Sequence, residues 1–259
     1  YLKRLTLGSN IRQQVSEKFA VGLNLGVTGV YDRTEGTEGK SDVISLGLQS
    51  APIFPVYNEN GNLGFKDPNS EWYRFAQYTD LQLWHPYSLT RELQKQNKSF
   101  NTLGTAFAEY EVIEGLKFKT SINANLLNTR FNMFWNKDQK YGYSSALPAQ
   151  GNANSRFMLN WLSENTLNFS RQFGDHNLDA LVGYTVQKQR DEYQALSAGN
   201  FPNNLVPTLN AGTVNGGTSL AYEWAMISYL GRVNYNYKNK YFLSAVLRRD
   251  GSSRFGANN

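Results

Sequence analysis

Residues 116–126 read LKFKTSINANL, and two kinds of side chain alternate along the whole stretch. Every second residue from Leu116 to Leu126 is apolar or small, whereas the residues between them are lysine, serine or asparagine. A helix would repeat its apolar positions about every 3.6 residues, so a period of two predicts a β-strand with one apolar face. The alternation recurs, with more exceptions, in residues 19–31, 178–186 and 225–235.

The connections between such segments alternate between short and long. The segments themselves lie at about 2–13, 18–33, 99–113, 116–131, 156–173, 177–192, 221–237 and 240–250. Short turn-forming stretches join them in pairs at Ser16–Lys18, Glu114–Gly115, Gly174–His176 and Lys238–Lys240. Long connections at about 34–98, 132–155 and 193–220 separate the pairs.

This rhythm is typical of transmembrane antiparallel β-barrels, which have short periplasmic turns and long extracellular loops. A β-sandwich would not segregate its connections in this way, and a propeller would space its strands more evenly. No run of about 18 apolar residues occurs, which excludes a membrane-spanning helix. We therefore predict an all-β fold, a segment of a transmembrane antiparallel barrel, in which Ile122 and Val182 face lipid and Asn123 faces the lumen.

Aromatic residues cluster beside the short turns. The composition is 14% aromatic, with 16 tyrosines. The residues near the turns are Tyr110, Phe118, Phe169, Phe173, Tyr235, Tyr237 and Tyr241. Amphipathic rings are enriched where a membrane meets water, so we interpret these residues as a girdle at the membrane interface. The alternative is that tyrosine and phenylalanine simply favour strands.

Charge and histidine usage argue against several function classes. The net charge is +5, but the basic residues are dispersed and form no stripe of the kind that binds nucleic acid. Cysteine is absent, and His85 and His176 have no second ligand at metal-binding spacing, so neither a metal nor another cofactor is expected. No catalytic motif is present, and we expect the protein not to be an enzyme.

The long connections carry the candidate contact residues for a substrate or for a covering partner protein. Aromatic planes beside polar groups suit stacking on sugars or gripping peptide side chains. The candidates are Trp72, Tyr73, Arg74, Trp84 and Tyr87 in the first long connection, with Trp135 and Tyr141 in the second. The alternative is that these residues pack the loops against themselves or against other parts of the protein.

Residues 228–256 read SYLGRVNYNYKNKYFLSAVLRRDGSSRFG, a Gly-Arg strand, a tyrosine-rich turn and a strand ending in RDGSSRFG. This stretch resembles the barrel of the SusC/RagA family of TonB-dependent transporters. Residues 165–187 and, more loosely, 2–28 are similar to other hairpins of that family. We interpret Asp250–Ser253 as structural, with Gly251 adopting an unusual backbone dihedral and with Arg249, Asp250 and Arg254 pairing nearby.

The resemblance implies a barrel of about 22 strands in the bacterial outer membrane, in contact with membrane lipid and lipopolysaccharide. It further implies a plug domain coupled to TonB, a SusD-like surface lipoprotein as a lid, and import of an oligosaccharide or peptide. A dimer of two transporter–lid pairs is compatible with this resemblance. We expect residues 1–259 to be part of one β-barrel domain, with the signal peptide, the plug domain and the C-terminal strands outside this segment.

Three other functions remain open from the residues alone. A passive porin and a siderophore-type receptor would share the barrel pattern. A soluble all-β binding module is a weaker third alternative, because it does not require the short–long rhythm of connections.

Overall fold

Eight strands form one antiparallel sheet in the computed structural model, and they lie side by side in sequence order. The structure describes residues 1–33, 43–50, 56–57, 60–61, 86–87, 90, 93–136 and 148–256. The strands are β1 (Leu2–Ser16), β2 (Phe19–Asp32), β3 (Leu93–Ile113), β4 (Leu116–Trp135), β5 (Gln150–Phe173), β6 (His176–Gly199), β7 (Thr213–Tyr237) and β8 (Tyr241–Ser252). Helix α1 spans Val43–Gln49, and none of the helices in the described ranges has the length and apolar character needed to cross a membrane.

The four short turns lie where the sequence predicts them, and they define the short-turn end of the sheet. Gly115 has a φ of +82° and Gly174 a φ of +58°, a region that non-glycine residues rarely adopt. A Cβ at Gly115 would lie 2.5 Å from the carbonyl oxygen of Ser170, so glycine is also required there by space. In the last turn Lys238 and Asn239 both have positive φ, as do the two central residues of a type I′ turn.

The strands extend further toward the long-loop end than the sequence pattern predicts. β3 begins at Leu93, β4 runs to Trp135, β5 begins at Gln150 and β6 runs to Gly199. The predicted connections at 34–98, 132–155 and 193–220 therefore include residues that belong to strands, except at the start of the first one. Alternation ends before the strands do, because a strand that leaves the apolar layer no longer needs an apolar side.

Register places the predicted lipid-facing residues together on one face of the sheet, which we call the apolar face. Ile122 and Val182 lie on it and are 55% and 58% exposed. Asn123 lies on the opposite, polar face, where side chains are generally more covered than those of the apolar face. The predicted fold class, an antiparallel all-β barrel segment, is confirmed.

The aromatic residues beside the turns all project from the apolar face. The rings of His176 and Tyr237 lie 4.7 Å apart, and Tyr237 stacks on Tyr241 at 6.4 Å. The Nδ1 atom of His176 is 2.6 Å from the hydroxyl of Tyr235. The residues predicted to form a girdle thus share one face near the short turns, which is the arrangement expected of rings at a membrane interface.

Most of the buried side chains among the described residues lie at the long-loop end. Phe134, on the apolar face, packs edge-on against Phe201 of the 200–212 connection with ring centroids 5.0 Å apart. Leu46 of α1 packs against Leu93 and Trp135 on the polar face. Connections thus fold back onto both faces of the sheet at this end.

The details predicted for the RDGSSRFG stretch were wrong. Gly251 lies in β8 opposite Ile227 and has no positive φ. Asp250 accepts a hydrogen bond from Arg248 at 2.8 Å. Arg254 instead places its guanidinium 5.3 Å from the ring of Trp224. Strand pairing is what fixes Gly251, so no unusual dihedral is required.

Candidate functional site

The polar face carries cross-strand hydrogen bonds between neutral and charged side chains. Thr105 donates to Asn123 at 2.7 Å, and the amide of Asn123 donates to Glu164 at 3.1 Å. Nearer the short turns, Arg232 and Asn234 both contact Asp179. Such a lining is suited to a water-filled or protein-filled lumen rather than to lipid.

An ion pair and a set of three hydrogen-bonded amide side chains lie further toward the long-loop end of the same face. Arg156 binds Asp191 through both Nε and Nη2, in the two-pronged geometry that makes Arg–carboxylate pairs strong and directional. The amide of Gln187 donates to Asn160, which in turn donates to Gln189. These pairs fix polar side chains on the part of the polar face that is nearer the long loops.

Phe107 is an aromatic residue on the polar face. Its ring lies directly over Gly22, where an added Cβ would be 2.2 Å from the ring. Arg12 and Lys119 approach the ring at 5.8 Å and 5.0 Å from its centroid. Two cations around one ring form a cation–π group that can rest against another protein surface or a ligand.

Several asparagine oxygens on the polar face are buried without a hydrogen-bond partner among the residues that the structure describes. They belong to Asn24, Asn101, Asn125 and Asn168. A buried polar atom normally has a partner, either protein or water. The polar face is therefore a surface on which water or another protein segment is expected to complete the hydrogen bonding.

Two of the sequence-predicted contact residues lie within the described residues, and they lie in different settings. Trp135 is the last residue of β4 and packs against α1. Tyr87 places its hydroxyl 3.0 Å from that of Tyr57, with the two rings edge-on. The remaining candidates, Trp72, Tyr73, Arg74, Trp84 and Tyr141, lie outside the described residues.

Sequence reasoning missed Phe107, Arg156 and Asp191 as features of the polar face. Arg156 and Asp191 are 35 positions apart, and Gly22 meets Phe107 across a long connection. The alternation of side chains in the sequence predicts the face on which each residue lies. It does not predict which residue lies beside it on the neighbouring strand.

Comparison with known proteins gives relatives over the whole chain. No family model matches the sequence. TonB-dependent receptor P3 of Formosa agariphila is 33% identical over 271 residues, which is 100% of this chain and 25% of the relative. TonB-dependent receptor P39 of the same organism is 31% identical over 208 residues, 76% of this chain and 20% of that relative. The chain thus spans a quarter or less of the length of these relatives.

Solved structures share the fold. The RagAB peptide transporter matches with a TM-score of 0.79 at 21% identity, covering 100% of this chain and 28% of its own. The siderophore receptor PiuA from Acinetobacter baumannii matches with a TM-score of 0.51 at 12% identity, over 97% of this chain and 35% of its own. At these identities the likeness shows an outer-membrane barrel fold.

Proposed function

Because this chain belongs to the TonB-dependent receptor family, we propose that the complete protein imports a large nutrient, an oligosaccharide or a peptide, in a TonB-dependent step. The protein lies in the bacterial outer membrane, as its relatives do. This segment forms part of the barrel wall and supports the loops above it. The relatives are receptors rather than enzymes, and we assign the chain no catalytic role.

The two faces of the sheet carry the proposal. The apolar face presents Ile122, Val182 and the aromatic girdle to lipid, whereas the polar face presents Asn123 and its hydrogen-bonded neighbours to the lumen. We place the short turns in the periplasm and the long loops outside the cell, which is the orientation general to such barrels. The buried asparagine oxygens that have no partner among the described residues would then accept hydrogen bonds from lumenal water or from a plug domain.

Two partners follow from the family. TonB would act through a plug domain, and a SusD-like surface lipoprotein would cover the long-loop end as a lid. Trp135 and α1 lie at that end on the lumenal side, where a lid or a substrate would contact them. Transporter–lid pairs would then be able to associate as dimers.

The substrate class rests on chemistry at the loops. Trp72, Tyr73, Arg74, Trp84, Tyr87 and Tyr141 supply rings and a guanidinium that suit sugar rings or peptide side chains. The RagAB transporter of similar fold is described as a peptide importer.

The test is uptake and partner capture with the full-length receptor. Cells lacking the receptor should lose growth on a defined set of peptides or oligosaccharides, and cells lacking TonB should lose growth on the same set. A tagged receptor extracted in mild detergent should bring down one surface lipoprotein. Normal growth on every nutrient tested, with the receptor recovered alone, would contradict the proposal.

A siderophore receptor without a lid is the second candidate, because the fold of PiuA is also similar. Binding of a ferric chelate by the purified receptor, with growth defects confined to iron limitation, would favour it. Uptake that survives loss of TonB would instead indicate a passive porin.

A further inference from the structure

Three basic side chains lie next to one another on the apolar face, close to the long-loop end. Lys3, Lys98 and Arg130 belong to β1, β3 and β4, and Tyr31 of β2 lies between the first two. Lys98 is directly opposite Arg130 in the register. We call Lys3, Lys98 and Arg130 the basic row.

Among the described residues, the basic row has no acidic partner. Within the part of the chain that the structure describes, no carboxylate lies within ion-pair distance of any of the three side chains. Lys3 and Lys98 instead approach the rings of Tyr1 and Tyr31 at 5.4 Å and 5.6 Å. Like charges placed opposite each other on a sheet destabilise it, so an anion from outside would relieve the repulsion.

A second group of cations, at a similar distance from the short turns, forms ion pairs with carboxylates of the protein and so differs from the basic row. Arg130, Arg190 and Glu223 lie equally many residues from their own hairpin turns and share the apolar face. Glu223 lies 2.7 Å from Lys188 and 3.7 Å from Arg190, and Arg190 also pairs with Glu192. Among the described residues, Lys188 and Arg190 of β6 thus have carboxylate partners, whereas Lys3, Lys98 and Arg130 have none.

An apolar floor lies beside the basic row on the side of the short turns. Leu5, Gly29 and Phe100 are cross-strand neighbours, two residues from Lys3, Tyr31 and Lys98 along their strands. Gly29 carries no side chain, which leaves a groove of about 440 Å³ bounded by the basic row and this floor. Leu7 and Val27 continue the apolar surface toward the middle of the strands.

We propose that this groove binds the lipid A part of lipopolysaccharide, with a phosphate on the basic row and acyl chains along Leu5 and Phe100. Lys and Arg bind phosphate by charge-assisted hydrogen bonds, and basic groups beside an apolar surface favour anionic lipid. The choice of lipid A rests on the proposed orientation, because the long-loop end then faces the outer leaflet, where lipopolysaccharide is the anionic lipid.

The test measures binding of purified lipid A to the delipidated full-length receptor. The variant is Lys98→Gln with Arg130→Gln, and the matched control is Lys188→Gln with Arg190→Gln, which removes the same charge at the same height. We expect the first pair to weaken lipid A binding about tenfold or more, the effect of losing charge-assisted contacts of about 1.5–3 kcal/mol. The control should bind as the wild type does.

Two further probes identify the lipid. Dephosphorylated lipid A should bind as weakly to the wild type as lipid A binds to the Lys98→Gln, Arg130→Gln variant. Phosphatidylglycerol should bind less tightly than lipid A, because it offers fewer acyl chains to the floor. Equal binding of phosphatidylglycerol, or equal loss in the control variant, would overturn the assignment.

Orientation is tested separately from lipid binding. The printed sequence has no cysteine, so Ser219→Cys, on the apolar face near the long-loop end, introduces a single reactive site into this segment. Labelling of intact cells by a membrane-impermeant maleimide, above the level in the unmodified receptor, would support the proposed orientation. Labelling with failed lipid A binding would refute only the lipid site, whereas labelling confined to lysed cells would refute the orientation and the lipid A assignment with it.

Discussion

The two halves of each strand differ most on the apolar face. Near the short turns this face carries Ile122, Val182 and the aromatic girdle, and it has the composition of a lipid-facing surface. Toward the long loops the same face carries Lys98, Arg130 and the ion-paired residues of β6 and β7. Pairing between the strands nevertheless continues through both halves.

Strand pairing is therefore independent of whether lipid or water surrounds the strand. Backbone ladders require only a neighbouring strand, whereas side-chain composition responds to lipid, interface or water. Where a strand extends beyond the apolar layer of the membrane, polar and charged side chains can be solvated on both of its faces.

Charge in the short-turn half should damage the receptor most. Ile122→Arg and Val182→Arg each place a cation near the middle of the apolar band, at a cost of roughly 2–4 kcal/mol. We expect reduced assembly, measured as the amount of heat-resistant folded receptor in outer membranes. Asn123→Arg is the matched control on the polar face, and equal damage there would show that the two faces are assigned wrongly.

The turn glycines should differ in their tolerance of alanine. Gly174→Ala adds a side chain with no atom within 4 Å, so its cost is the left-handed backbone alone, about 1–2 kcal/mol. Gly115→Ala has the same backbone problem and also meets the Ser170 carbonyl oxygen at 2.5 Å. Thermal unfolding of the purified variants should give the lower Tm for Gly115→Ala, and the reverse order would contradict the turn geometry.

Substitution in the long-loop half should act locally. Phe134→Ala removes the ring that packs on Phe201, so the 200–212 connection loses its main apolar contact. We expect faster proteolytic cleavage within 200–212 while the Tm of the barrel stays close to that of the wild type. Phe100→Ala, at a position away from this cluster, is the control. Equal cleavage in both variants would show that the contact between Phe134 and Phe201 does not specifically hold the 200–212 connection.

The ion pairs of the long-loop half should contribute least. Glu223→Gln removes the carboxylate that contacts Lys188 and Arg190, and exposed pairs contribute only about 0–1 kcal/mol. Unfolding temperature should hardly change. A large loss of stability would mean that this part of the apolar face is embedded in lipid rather than exposed to polar surroundings.

Prediction from sequence succeeded where one local rule governed several residues. The period of two placed Ile122 and Asn123 on opposite faces, and glycine or asparagine marked the hairpin turns at Gly115, Gly174 and Asn239. It failed at the strand ends near the loops, where Trp135 lies in a strand rather than in a connection. The contact roles assigned to the loop aromatics stay predictions.

The sequence by itself determined the all-β class, the hairpin pairs and the facing of side chains, because alternation and turn chemistry act over a few residues. Tertiary structure alone decided which residues meet across hairpins, as with Gly22 under Phe107 and Lys98 beside Arg130. A period of two fixes a side chain's face but leaves its partner open, since a shift of two residues preserves the pattern. The register alone therefore decides which cations lie beside a carboxylate and which could bind an anion from outside the protein.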